Sequence, residues 1–170
     1  AFPNPMVTAR FGSDEFVIII PDLKSKQALI DYAEHAAAQL HEPIYYEGLY
    51  INGGISIGCA SYPTDADSAS HLVRCADIAL NDLKRTGCGG ALLFDEKMLQ
   101  ALQHTTQKLN LARQILNHDA IIPYYQPKVD LTTGKVIGFE ALLRWYDQAG
   151  VIHSPIGIEP AFEDFELATR

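Results

Sequence analysis

ARFGSDEFVIII, residues 9–20, places two adjacent acids after a glycine turn and directly before an apolar run. Glycine in a short connection between apolar segments is typical of a β-hairpin. We therefore predict strands at Val7–Arg10 and Phe16–Ile20. Asp14 and Glu15 allow two interpretations: charges that keep a hairpin tip soluble, or a site that binds phosphate and a metal. The rest of the sequence has to decide between them.

The composition favours a folded protein that does not bind polyanions. The chain has 170 residues, 48% of them hydrophobic, enough for one domain or two partial ones with a buried core. Its net charge is −8 at pH 7 and no stripe of Lys and Arg stands out, so we expect no nucleic-acid surface. This charge distribution is still compatible with binding of a small phosphate ligand, because such a ligand needs only a local cluster of hydrogen-bond donors.

Cysteine usage and hydropathy favour the cytoplasm. The three cysteines form no CxxC pair, which fits a reducing compartment better than a disulfide framework. The longest apolar run, FVIII, is too short to cross a bilayer, and no signal peptide opens the chain. We expect a cytoplasmic segment without membrane contact; the anchor of a membrane-bound sensor would lie outside these residues.

The first half predicts alternating strands and helices. Helices are expected from about Lys24 to Leu40 and from Leu72 to Leu83, the second with N-cap candidates in Asp65–Ser70 and a stop at Gly87. IYYEGLYINGGISIGCASYP predicts a strand, a turn at Glu47–Gly48 and one long strand, and ALLFD predicts a short strand. The order β-β-α-β-β-α-β indicates an α/β (α+β) domain with a mostly buried sheet.

The second half contains a predicted helix followed by predicted strands. The segment from Glu96 to His118 has the apolar spacing of a connecting helix. IIPYYQPKVDLTTGKVIGFEALLRWYD then predicts two strands around the turn LTTGK, and the last stretch enters a helix at about Pro160. With a boundary near residue 119, the predicted organisation is a domain at 1–96, a connector helix at 97–118 and a second domain at 119–170.

Three blocks of the first half, RFGSDEF, ISIGCASYP and ADIALNDLKRTG, resemble in order and spacing the C-terminal half of a GGDEF domain, the diguanylate cyclase fold. That family makes cyclic di-GMP from two GTP molecules. The resemblance implies that Gly12 and Ser13 occupy the two-glycine turn, whose backbone N–H groups approach a triphosphate. Asp14 takes the place of the acid that binds Mg²⁺, and Glu15 follows it. Lys84 matches a phosphate-contacting lysine, although a solvated helix lysine is the alternative.

Several departures from the GGDEF pattern weaken the implied GTP site. Ser13 replaces the second glycine, Cys88 stands where an arginine usually grips phosphate, and Asn81 replaces a common tyrosine. Pro3 and Met6 occupy the positions of the RxxD product-inhibition motif, and the first strand with its metal-binding aspartate does not precede the turn. We expect no cyclase activity, and a degenerate domain that binds GTP weakly or supports its neighbour.

YYQPKVDLTTGKVIGFEALLRW and GVIHSP, within residues 121–161, resemble the opening of an EAL domain, the cyclic di-GMP phosphodiesterase built on a TIM-type barrel. The resemblance implies that Glu140 is the first carboxylate for Mg²⁺ or Mn²⁺, that Arg144 pairs with a ligand phosphate and that Gln126 contacts the nucleotide. Strand alternation puts Glu140 and Arg144 on one face. A rim salt bridge between these two residues is the alternative interpretation.

The second resemblance also has departures. Glu159 replaces a usual apolar residue, and His153 is interpreted as a loop residue. An eight-stranded barrel needs roughly 200 residues, whereas about fifty follow the boundary. We therefore expect an internal piece of a longer protein, inactive by itself, whose exposed apolar surface makes it self-associate.

The two resemblances together predict a bacterial-type cyclic di-GMP signalling protein. Hydrolysis of cyclic di-GMP by the EAL part, with a regulatory GGDEF part, is the first interpretation. A non-catalytic receptor or scaffold for cyclic di-GMP or GTP, which signals to a partner along residues 96–118, is the second. An active diguanylate cyclase ranks last because of Ser13 and Cys88.

Overall fold

Residues 6–39, 42–51, 53–87 and 89–169 are described by the computed structural model of the chain. They divide into two units, with the division between Leu99 and Gln100. Pro3 and Cys88, two of the departures from the GGDEF pattern, lie outside the described residues. Within the described ranges, no helix has both the length and the apolar character that crossing a membrane requires.

The first unit mixes short strands with two long helices. Its elements in chain order are β1 (Val7–Arg10), β2 (Phe16–Ile19), α1 (Lys26–Gln39), β3 (Ile44–Tyr46), β4 (Leu49–Ile51), β5 (Ser56–Cys59), α2 (Ala69–Arg85) and β6 (Gly90–Leu93). The helix α3 (Glu96–Asn117) follows. β1 pairs antiparallel with β2, β3 antiparallel with β4, and β5 parallel with β6.

The long strand predicted after the Glu47–Gly48 turn is wrong, because the structure divides it into β4 and β5. Gly53 and Gly54 lie between these two strands, and glycine weakens a strand interior. The two strands also have different partners: β4 returns antiparallel along β3, whereas β5 runs parallel to β6. The observed order is therefore β-β-α-β-β-β-α-β.

Helix α2 builds the core of the first unit. Ser68 caps its start by accepting a hydrogen bond from the backbone N–H of His71, and Gly87, with φ of +70°, follows its end as predicted. The buried Cys75, Ile78 and Ala79 of α2 pack with Phe94. β5 approaches α2 so closely that a Cβ on Gly58 would lie 2.0 Å from the carbonyl oxygen of Ala76, which explains the glycine.

The expectation of a mostly buried sheet is wrong for this unit. Among the described strands of this unit, β5 and β6 are the ones that α1 and α2 cover. The apolar side chains of β1 to β4 stay largely exposed, as Phe16 at 62% and Tyr50 at 74% illustrate. The physical reason is that the strands form three separate two-stranded ladders, and the helices pack on one of them.

The second unit is a three-stranded antiparallel sheet with helical segments. Its elements are β7 (Ile121–Val129), β8 (Val136–Tyr146), β9 (Ile152–His153), a 3₁₀ helix (Pro155–Phe162) and α4 (Phe165–Ala168), and the strand order is β7-β8-β9. The helical region begins at Pro155, earlier than the predicted Pro160, because proline is favoured in the first turn of a helix. The core consists of Ala112, Ile115, Trp145, Ile158, Ala161 and Leu167.

Candidate functional site

The turn of the β1–β2 hairpin is organised by Arg10. Its Nε donates a hydrogen bond to the carbonyl oxygen of Gly12 at 2.9 Å, and its Nη2 donates to that of Ser13 at 2.7 Å. The guanidinium carbon lies 5.7 Å from the centre of the Phe16 ring, within the range of a cation–π contact. Arg10 therefore fixes the direction of two turn carbonyls. The sequence interpretation missed this role, although an arginine at the end of the strand before the turn was its signal.

The predicted GTP-site residues of the turn contact one another. The backbone N–H of Gly12 donates to the carbonyl oxygen of Glu15 at 3.3 Å, so this group is already used in the observed conformation. The Ser13 hydroxyl donates to Asp14 Oδ1 at 3.0 Å. The turn brings Gly12, Ser13, Asp14 and Glu15 together as a hairpin tip with internal hydrogen bonds.

Lys84, the predicted phosphate-contacting lysine, lies on α2. It is exposed in the last turn of α2, where its backbone carbonyl accepts a hydrogen bond from Gly87. Across the part of the chain that the structure describes, no hydrogen bond or ion pair connects Lys84 with the turn residues. Lys84 is therefore an exposed helix lysine in this structure, and its contact with phosphate stays a prediction.

The β7–β8 ladder brings the predicted EAL residues onto one face. Gln126 lies directly opposite Glu140 in the register, and Ile122 lies opposite Arg144. Side chains of directly opposed residues point to the same side, with Cβ atoms roughly 5 Å apart. Glu140 and Arg144 are four residues apart on β8, so they share this face at a spacing of about 14 Å.

The predicted alternative of a Glu140–Arg144 salt bridge is wrong in this structure. Glu140 Oε2 instead lies 3.7 Å from the ammonium group of Lys128. Arg144 turns its Nη1 toward the carbonyl oxygen of its neighbour Leu143 at 2.7 Å. The spacing along the strand explains the difference, because the two charges are too far apart for direct contact. Lys128 was missed, although its place two residues after Gln126 puts it on the same face.

Hydrogen bonds flank β8 on both sides. In the LTTGK turn, the carboxylate of Asp130 accepts hydrogen bonds from the backbone N–H groups of Thr132 and Thr133 at 2.7 and 3.0 Å. These bonds hold the pKa of Asp130 below its ordinary value. At the other end, the buried Trp145 donates from Nε1 to the carbonyl oxygen of Ser154 at 3.1 Å. β8, which carries Glu140, thus lies between a hydrogen-bonded turn and a buried tryptophan.

His153 lies on β9 and not in a loop, so that interpretation is wrong. It pairs with Trp145 in the β8–β9 register, and the two rings stack with centroids 4.4 Å apart. Its Nε2 lies 2.9 Å from Asp147 Oδ2. This hydrogen bond, followed by one from the Val151 backbone N–H, lowers the pKa of Asp147. The segment is a strand because it pairs with β8, and the ring stack and the carboxylate contact accompany this pairing.

Glu140 offers the ligand chemistry that a hard divalent ion prefers, but only one carboxylate. Its carboxylate and the side-chain amide of Gln126 across the ladder supply oxygen donors of the kind that Mg²⁺ and Mn²⁺ bind. No group of three or more His, Cys, Asp or Glu side chains within the described ranges is arranged to hold a metal ion. These residues therefore fit part of a metal site.

Two family models match the chain. The model described as "Diguanylate cyclase, GGDEF domain" matches residues 3–89, about half of the chain. The chain belongs to the GGDEF family. The model described as "EAL domain" matches residues 107–170, so a GGDEF segment is followed by an EAL segment. This order confirms the predicted tandem.

Curated relatives include two proteins of Pseudomonas aeruginosa. The chain is 35% identical over 145 residues to "Bifunctional diguanylate cyclase/cyclic di-GMP phosphodiesterase MucR", which covers 85% of this chain and 21% of MucR. It is 31% identical over 139 residues to "Cyclic di-GMP phosphodiesterase NbdA", which covers 82% of this chain and 18% of NbdA. The GGDEF–EAL chain thus spans about a fifth of the length of these relatives.

A solved structure agrees with the fold of the GGDEF segment. The isolated GGDEF domain of TpbB (YfiN) from Pseudomonas aeruginosa is 29% identical and superposes with a TM-score of 0.57, over 60% of this chain and 60% of that chain. The α/β (α+β) class is therefore confirmed. The roles of the individual site residues remain predictions.

Proposed function

We propose that this protein hydrolyses cyclic di-GMP through its EAL segment, while its GGDEF segment has a regulatory role. The observation that carries the proposal is the face of the β7–β8 ladder, where Glu140 lies opposite Gln126 and shares its side of the sheet with Arg144. The names of NbdA and MucR, which include cyclic di-GMP phosphodiesterase, support this assignment.

Each of the three residues has a proposed task. Glu140 is one carboxylate ligand for Mg²⁺ or Mn²⁺, and a bound divalent ion supplies activation of water for attack on a phosphodiester. Arg144 pairs with a phosphate of cyclic di-GMP, for which its planar fork of N–H donors is suited. Gln126, across the ladder from Glu140, contacts the nucleotide through its amide.

The GGDEF segment is proposed to bind GTP weakly or to support the EAL segment. Its candidate GTP-site residues are Gly12, Ser13, Asp14, Glu15 and Lys84. The hydrogen bonds from Gly12 to Glu15 and from Ser13 to Asp14 support this view, because they use donor and acceptor groups that a triphosphate and its metal would need. We propose a domain organisation of 1–96, a connector at 97–118 and 119–170.

A non-catalytic receptor for cyclic di-GMP is the second candidate function. The ion pair of Lys128 with Glu140 favours a receptor. In this pair an ammonium group lies beside the carboxylate that would have to bind the metal ion if the protein hydrolysed cyclic di-GMP. Binding of cyclic di-GMP without turnover, unaffected by removal of divalent ions, would identify a receptor.

Self-association is part of the proposal. The β3–β4 hairpin exposes apolar side chains on both faces, and exposed patches of this kind mark contact surfaces. They are Ile44, Tyr45, Tyr46, Leu49, Tyr50 and Ile51. Light scattering after chromatography tests it: replacing Tyr45 and Tyr50 together by serine should shift the chain toward monomer. An unchanged mass would contradict this contact.

The decisive experiment for hydrolysis compares Glu140→Ala with Asp14→Ala in the whole gene product. Loss of a metal-binding carboxylate should reduce Mg²⁺-dependent turnover of cyclic di-GMP by about 100-fold or more. Assayed without GTP, Asp14→Ala should leave turnover within about twofold, because the proposed GTP site is then empty. Unchanged turnover in Glu140→Ala would remove the basis of the proposal.

A further inference from the structure

One face of the β7–β8 ladder carries a tyrosine between its candidate ligand-binding residues. Tyr124 lies opposite Leu142 in the register. The Gln126–Glu140 pair is the next on this face in one direction, and Arg144 is the next in the other. Side chains two residues apart on a strand point the same way at a spacing of about 7 Å, so Tyr124 is a neighbour of both positions.

The hydrophobic core of this unit lies on the other face of β8. Trp145 belongs to that core and Leu143 packs against it, and both alternate along the strand with Leu142 and Arg144. Tyr124 is 44% exposed. Within the described residues, its side chain forms no hydrogen bond and stacks on no other ring. A half-exposed aromatic ring on the face away from the core is available to a ligand.

The chemistry of this face matches the parts of a cyclic dinucleotide. The guanidinium group of Arg144 offers a fork of N–H donors to a phosphate, and the amide of Gln126 offers a donor and an acceptor to the edge of a base. A purine also has a flat π face, which stacks on aromatic side chains. Tyr124 supplies the surface for this contact, which neither polar residue offers.

We propose that Tyr124 is a stacking platform for one guanine of cyclic di-GMP on the ladder face. The inference rests on the proposed function for the identity of the ligand. It holds for hydrolysis and for a receptor alike, because stacking needs no metal ion. Removal of a stacked aromatic ring weakens binding of a nucleotide by about 5- to 100-fold.

Three substitutions separate stacking from packing within the ladder. Tyr124→Phe keeps the aromatic ring. Tyr124→Leu keeps an apolar partner for Leu142 across the ladder and removes the flat π face. Tyr125→Leu is the matched control, because it removes the neighbouring tyrosine from the opposite face of β7, where Tyr125 pairs with Ala141.

Equilibrium binding of cyclic di-GMP to the whole gene product tests the inference, with EDTA present to prevent metal-dependent turnover. Calorimetry should give Tyr124→Leu a Kd about fivefold or more above that of wild type. Tyr124→Phe and Tyr125→Leu should stay within about twofold. Equal Kd values for Tyr124→Leu and Tyr125→Leu, or equal weakening in Tyr124→Leu and Tyr124→Phe, would overturn the inference.

A fluorescent probe reports the stacking itself. In a cyclic dinucleotide with 2-aminopurine in place of one guanine, contact of the base with an aromatic ring quenches the emission. Wild type and Tyr124→Phe should quench the bound probe, and Tyr124→Leu at saturating protein should not. Full quenching in Tyr124→Leu would place the base on another surface and contradict the role of Tyr124.

Arg144→Met separates failure of this inference from failure of the proposed function. Loss of the charged phosphate contact should weaken binding by about tenfold or more. If Arg144→Met does so while Tyr124→Leu binds as wild type, the ladder face binds the ligand and only the stacking role is wrong. If neither variant changes binding, or wild type binds no cyclic di-GMP with or without divalent ions, the proposed function and this inference are both wrong.

Discussion

The β1–β2 hairpin and the β7–β8 ladder both carry an acid assigned to a metal site, and they position that acid in different ways. The hairpin pairs four residues on each strand, and Asp14 lies in its turn. The ladder pairs nine positions, and Glu140 lies in mid-strand opposite Gln126. In the turn, the neighbours of the acid are residues adjacent in sequence. In the ladder, they are residues brought in from another strand.

The two regions also differ in how they are anchored. Arg10 holds the hairpin turn through two hydrogen bonds at the surface. The ladder ends in Trp145, which is 7% exposed and packs in the core of the second unit. A carboxylate on an anchored strand keeps its face and its neighbours, whereas one in a turn depends on local bonds. The difference explains why the ladder is the better candidate for a built site.

The largest expected effect comes from removing the anchor. Trp145→Ala should lower the free energy of unfolding of the second unit by about 3–5 kcal/mol, because it leaves a cavity in the core. Phe16→Ala in the hairpin should cost about 1 kcal/mol or less, since Phe16 is already 62% exposed. Urea unfolding followed by circular dichroism measures both. Equal losses would contradict the contrast between the two regions.

Loss of Arg10 should act on the hairpin alone. Arg10→Met removes both bonds to the turn carbonyls and should destabilise the hairpin by about 1 kcal/mol. Hydrogen exchange of the Phe11 and Gly12 amides should become about fivefold faster, as an opening of this size predicts. Arg85→Met, which removes an exposed ion pair with Asp82, is the control. Unchanged exchange in Arg10→Met would show that the turn does not need this side chain.

Acid should weaken the β8–β9 corner. Hydrogen bonds from His153 and the Val151 N–H lower the pKa of Asp147 in the fold, so the unfolded chain binds more protons near pH 4. The stabilisation is therefore present above pH 5 and is lost as the pH falls through the folded pKa. Asp147→Asn should reduce this part of the pH dependence, and His153→Gln should reduce it in the same direction. Urea unfolding at pH 3 to 7 measures the free energy of unfolding of each protein. The same pH dependence in wild type and both variants would refute the role of Asp147.

The smallest expected effect is binding of cyclic di-GMP by the chain alone. Calorimetry should detect very weak binding or none, because Arg144 donates a hydrogen bond to the Leu143 carbonyl and Glu140 forms an ion pair with Lys128. Binding tighter than about 10 μM would mean that the ladder face is already organised for the ligand.

Local signals in the sequence account for much of the fold. Glycine turns predicted the β1–β2 and β7–β8 hairpins, and Gly87 marked the end of α2. The wrong predictions concern segments whose strand-pairing partners are distant in the sequence. The pattern around Gly53 and Gly54 predicts one long strand, and the pattern around His153 predicts a loop, whereas the structure has two strands and a strand there. Both errors have the same cause: whether a segment forms a strand depends on its pairing partner, which the local sequence does not reveal.

The candidate site on the β7–β8 ladder also combines features that the local sequence predicts with features that it does not. Period-two alternation by itself determined that Glu140 and Arg144 share a face of β8 and that Gln126 and Lys128 share a face of β7. Only the tertiary structure decided that these two faces coincide, that Lys128 pairs with Glu140 and that Arg144 donates to the Leu143 carbonyl. The physical reason is that side-chain direction is set within one strand, whereas contact is set by the register between two.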